Sequence, residues 1–151
     1  MTERRELAVD VLNDVLAEDL NAVRAYQEAT EHIEEPRLRG LLDELLKERT
    51  VFVKELHEEV KRRGGEPVKD ETLSGKLKGA WMSLQAAFTD EDTEALMDDL
   101  EDAEETLADT YDEAISRSSE PDVRSLLESH RMRIHESENR IESIRGTLRS
   151  G

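Results

Sequence analysis

The chain has 151 residues and carries 38 acidic against 21 basic side chains, a formal charge of −17. That length suits one domain with a core of its own, and the sign of the charge argues against nucleic-acid binding and against a basic membrane-surface helix. With no Cys, disulfides, thiolate metal sites and cysteine nucleophiles are excluded.

No apolar run approaches a membrane span and Met1–Arg5 is no signal sequence, so a soluble, cytoplasmic protein with no membrane partner is expected. Only six of the basic residues are Lys and fifteen are Arg; with 3% aromatics this acidic composition fits either disorder or a solvated, salt-adapted surface.

Periodicity decides for a folded chain. A first helix runs from about 3 to 34, with Leu12, Val15, Leu16, Ala22, Val23, Tyr26, Ala29 and Ile33 on one stripe. Pro36 opens a second, carrying Leu38, Leu41, Leu42, Leu45, Phe52, Leu56 and Val60 and stopping at Gly64-Gly65. Between about 65 and 91 the pattern loosens to a connection with a short amphipathic piece, Leu73, Leu77, Trp81, Leu84 and Phe88. A third helix spans about 92 to 118 (Met97, Leu100, Leu107, Tyr111, Ala114), and Pro121 opens a fourth (Val123, Leu127, Ile134, Ile141, Leu148).

The two halves repeat. Glu35-Pro36 recurs as Glu120-Pro121, and the same spacing of 85 relates Leu12 to Met97, Tyr26 to Tyr111, Ala29 to Ala114 and Leu56 to Ile141. The expected architecture is all-α: two repeated helical hairpins, 3–64 and 92–149, joined by a crossover long enough to run the length of a bundle. That up-down-down-up, single-crossover arrangement is the ferritin-like four-helix bundle.

A few polar residues occupy core positions. Asp19 and Glu104, again 85 apart, lie near the middle of their helices, as does Arg49, with His130 about one turn away. Buried charges cost several kcal/mol unless paired or metal-bound. A di-iron carboxylate bundle takes one Glu from each of two helices and a Glu-x-x-His pair from each of the other two. Asp19 and Glu104 suit the first kind of ligand, but Arg49-x-x-Phe52 and Ile134-x-x-Ser137 stand where the pairs belong. The preferred reading is therefore a structural network, Asp19, Arg49, Glu104 and His130, in which Arg49 pairs with both carboxylates and replaces a metal charge. The alternative is an iron or manganese site drawing on Asp19, Glu104, His130, His135 and Glu138, the last two at i, i+3.

His32 and His57 read as surface residues. Tyr26 and Tyr111 suit either core packing or electron transfer, the former being favoured. There is no phosphate loop and no nucleophile–base constellation.

The ordered set Leu12-Asn13-Asp14, Tyr26, Ala29, Arg49, Phe52, Glu55-Leu56, Gly64-Gly65-Glu66-Pro67, Ser74-Gly75, Trp81, Leu84, Glu104, Tyr111 and Ala114 resembles the ferritin-like superfamily. Within that superfamily it is similar to an uncharacterised bacterial four-helix-bundle family known as a domain of unknown function. The resemblance implies the fold and no settled activity. Ferritins, rubrerythrins and di-iron oxygenases of the wider superfamily bind iron, and only Asp19 and Glu104 match as ligands. Where the family tends to have His-Arg before the tryptophan, this chain has Lys78-Gly79. The expectation is a non-catalytic, structural or stress-related bundle with no cofactor; the alternative is a metal-dependent redox or iron-storage protein. Homo-oligomerisation through an exposed helix face, with Trp81, Leu84 and Phe88 as a patch, competes with their capping the core.

Overall fold

The computed structural model describes residues 2–69 and 93–150. Four helices account for almost all of them: α1 (Thr2–His32), α2 (Pro36–Arg62), α3 (Thr93–Arg117) and α4 (Pro121–Ser150). Most of the expected crossover, with Trp81, Leu84 and Phe88, lies outside the described residues. None of the described helices is long and apolar enough to cross a membrane.

The helix ends follow from local chemistry. The Glu35 side chain accepts the Arg37 backbone N–H at 3.0 Å and caps α2, with Pro36 in the first turn, where its missing N–H costs nothing. The duplicated turns make the same backbone bond, Arg39 N–H to Glu35 C=O at 2.9 Å and Arg124 N–H to Glu120 C=O at 3.0 Å. At its other end α2 stops at Gly64, whose φ of 80° a side chain would oppose, while Gly65 N–H returns to Val60 C=O at 3.0 Å.

Beyond that stop the chain is latched to α1. The Asn13 amide donates to Glu66 C=O and accepts from Val68 N–H, both at 3.0 Å. A Cβ on Gly65 would come within 2.7 Å of Val9, so this segment lies close against α1. Two stretches that carry the family resemblance, Leu12-Asn13-Asp14 and Gly64-Gly65-Glu66-Pro67, are thus in contact. Asn13→Ala should cost about 1–2 kcal/mol for the two lost hydrogen bonds. Hydrogen exchange should show faster exchange at the Val68 amide with the rest of α1 unaffected.

Cross-helix contacts give the relative direction of each pair. Residues 26 and 104 meet, as do 19 and 111, so α1 and α3 are antiparallel. Residues 48 with 137 and 55 with 130 make α2 and α4 antiparallel as well. With two antiparallel hairpins, parallel helices fall on the diagonals: α1 with α4, and α2 with α3. This is the up-down-down-up bundle.

The core divides in two. One apolar cluster gathers Ala22, Ala25, Tyr26, Ala29, Leu42, Leu45, Leu100 and Ile141; the other gathers Val11, Leu12, Leu16, Phe52, Leu56, Leu107, Tyr111 and Ile134. Between them each helix places a buried polar side chain: Asp19, Arg49, Glu104 and Ser137. Apolar side chains above and below exclude water from this layer, so its charges must be satisfied by one another.

Candidate functional site

Asp19, Arg49 and Glu104 are each 0% exposed and His130 is 1% exposed. Two tyrosine–carboxylate pairs cross between α1 and α3. Tyr26 donates to Glu104 Oε2 at 2.5 Å, and Tyr111 lies 2.6 Å from Asp19 Oδ2. The 85-residue repeat makes these pairs equivalents of one another, related by the antiparallel packing of α1 and α3.

The cations break that symmetry. Arg49 donates to Glu104 Oε1 through Nη2 and to Glu48 at 2.6 Å through Nη1. The expectation that Arg49 pairs with both central carboxylates needs refining: its charge acts on Asp19, but its second hydrogen bond goes to Glu48, its neighbour on α2. Glu48 is held further by the Ser137 hydroxyl at 2.8 Å. Asp19 instead takes Tyr111, and its Oδ1 has no hydrogen-bond partner.

On the Asp19 side the bonding continues outward. The Tyr111 hydroxyl lies 3.0 Å from His130 Nδ1, and His130 Nε2 lies 2.9 Å from Glu55 Oε1, a side chain 44% exposed. Phe52 stacks on the imidazole, centroids 3.9 Å apart and planes 10° apart, and meets Tyr111 edge-on at 6.3 Å. The ring of His130 is thereby held in one orientation.

Burial sets the protonation states. It pushes the Asp19 carboxyl up to about 8; Arg49 and the Tyr111 hydrogen bond pull it down, while Glu104 and Glu18 push it further up. Burial likewise moves His130 below the usual histidine value, against the pull of Glu55, so its neutral form is favoured. Both phenols are pushed well above the tyrosine range, by burial and then by Glu104 for Tyr26 and Asp19 for Tyr111. Burial works against the Arg49 cation, but Glu104, Tyr26 and Asp19 together outweigh it and raise its pKa.

Of the other candidates, His135 is exposed; Glu138 is half-buried with Arg131 at 3.7 Å, and burial, helped by the Glu104 charge, raises its carboxyl pKa against the pull of Arg131. His32 and His57 are exposed. Among the described residues no three His, Asp or Glu side chains group to hold a metal ion. Two members of the network escape sequence reasoning: Glu48 and Glu55, seven apart on the side of α2 that faces α4. That heptad spacing was the available signal.

A family model described as a domain of unknown function (DUF2383) matches residues 7–117. The chain belongs to this family. The matched span holds Asp19, Tyr26, Arg49, Glu55, Glu104 and Tyr111, while His130 and Ser137 on α4 lie beyond it. No curated protein matches the chain. Among solved structures it is similar to one titled a crystal structure of ferritin like, diiron-carboxylate proteins from Bacillus anthracis str. Ames. That likeness has 17% identity and a TM-score of 0.70 over 98% of this chain and 99% of the other. The likeness shows the ferritin-like fold.

A di-iron centre in this DUF2383 chain would have to form in the polar layer, and the donor set does not fit one. Both Glu104 oxygens are engaged, by Arg49 and Tyr26. The guanidinium would repel an incoming cation and cannot ligate it. Arg49, Phe52, Ile134 and Ser137 supply no Glu-x-x-His pair.

Proposed function

We propose that this chain is a non-catalytic, structural member of the ferritin-like fold, in which the Arg49 cation stands in place of a metal charge. The observation that supports this most directly is the fully buried Arg49 guanidinium shared between Glu104 and Glu48. A fixed internal cation satisfies the Glu104 carboxylate without depending on metal supply, and both apolar clusters close over it.

Metal analysis of the protein, purified without chelator, tests this. Iron and manganese should be well below one equivalent per chain. Stoichiometric metal that is lost on Asp19→Ala with Glu104→Ala would overturn the proposal and restore the redox or iron-storage reading.

A further inference from the structure

We infer that Asp19, Tyr111, His130 and Glu55 form a proton-transfer path connecting the buried carboxyl at mid-bundle with solvent at the α2–α4 face. The steps are 2.6, 3.0 and 2.9 Å, each within hydrogen-bond range, and exposure rises from 0% at Asp19 to 44% at the Glu55 side chain.

Donor counting shows why the chain can conduct. Tyr111 has one hydroxyl proton, and a neutral His130 has one N–H. With the proton on Asp19, its O–H donates to the Tyr111 oxygen, the Tyr111 O–H to His130 Nδ1, and His130 Nε2–H to Glu55. In the reverse arrangement Tyr111 donates to the Asp19 carboxylate, His130 Nδ1–H to Tyr111, and a Glu55 O–H to Nε2. One converts to the other by three proton shifts. The Asp19 O–H breaks as a new Tyr111 O–H forms; the original Tyr111 proton bonds to Nδ1; the Nε2 proton bonds to Glu55, which passes it to water. Every oxygen and nitrogen on the path keeps its partner in both of these proton-carrying arrangements; once Glu55 has given its proton to water, His130 Nε2 and the Glu55 carboxylate are both acceptors until a proton returns. The unpartnered Asp19 Oδ1 costs less as the carbonyl of a neutral acid than as half of a carboxylate.

On the repeat-related side the bonding runs into a guanidinium. Glu104 leads to Arg49, which does not release a proton. The charged groups acting on the two ends are accounted for: Glu18 from α1, Arg49 from α2 and Glu104 from α3 act on Asp19, and Glu55 and Arg49 from α2 and Arg133 from α4 act on His130.

The path rests on the reading that Asp19 holds no metal, so the test uses full-length protein dialysed against chelator, with metal content measured on the same sample. After a pH jump, the infrared carbonyl band of protonated Asp19, recognised by its absence in Asp19→Asn, is followed in time. Tyr111→Phe should slow its appearance at least about tenfold, with the band still reached at equilibrium. Glu55→Gln, at an exposed position where folding is not at stake, should slow it in the same direction. Unchanged rates in Glu55→Gln and in whichever Tyr111→Phe protein folds overturn the path. Chelator-resistant stoichiometric metal overturns the function proposal instead.

Discussion

Replacing Arg49 by Met should lower the stability of the bundle by about 3–5 kcal/mol, because removing one partner of a buried ion pair strands the other. The loss falls on Glu104, which has no exposure and, among the described residues, no second cation bonded to it; Glu48 is 15% exposed at its side chain and has Arg140 within 3.6 Å. For a chain of this size such a change corresponds to a fall in Tm of roughly 10 °C or more. Adding Glu104→Gln should recover much of it, since a neutral amide beside Tyr26 no longer needs a cation. Arg49→Lys should fall between, as an ammonium lacks the fork that reaches Glu104 and Glu48 together. Thermal melts of the three variants decide this, and an unchanged Tm in Arg49→Met would remove the ion pair from any account of the fold.

The second large effect depends on pH. Asp19 holds its proton up to about 8 in the folded protein, against an ordinary value of 3.8. Between those values the folded chain keeps a proton that the unfolded chain gives up. Stability from this group is therefore complete below about pH 4 and falls as pH rises toward 8, by up to about 1.4 kcal/mol per unit. Asn at position 19 stays neutral and keeps a partner for Tyr111. Asp19→Asn should match the wild type near pH 4 and exceed it by several kcal/mol near pH 8, on the order of 3–5 by linkage. Urea unfolding of both proteins across that range measures the difference, in which the contribution of the overall negative charge largely cancels. A difference that does not change with pH would show that Asp19 is ionised in the folded state throughout.

Much of the fold is legible in the chain itself. Apolar residues at helical spacing, Pro36 and Pro121 at helix starts and Gly64-Gly65 at a stop are local signals, and the structure places helices at 2–32, 36–62, 93–117 and 121–150. The polar layer is legible for a related reason: Asp19, Arg49 and Glu104 interrupt apolar seams, and an interruption at a core position is buried wherever the seam is buried.

Partner choice is a different matter. Glu48 and Glu55 lie on the flank of α2, and one-dimensional bookkeeping counts such positions as solvated. Their inclusion depends on how α2 is rotated against α4, which brings Ser137 and His130 within reach. The repeat deepens the point. His130 is the counterpart of Leu45, and Arg49 of Ile134, so each hairpin contributes one cationic or titratable side chain where the other has an aliphatic one. Sequence shows the substitutions but not which carboxylate each serves.

By itself, then, the sequence determined four helices, a duplicated hairpin and a band of charge at mid-depth, because spacing along a helix dictates which side chains share a face. Only the tertiary structure decided that Tyr26 serves Glu104 and Tyr111 serves Asp19, that Arg49 turns to Glu48 rather than Asp19, and that His130 carries the network out to Glu55. Those pairings depend on antiparallel register and helix rotation, which are set by packing across the whole core.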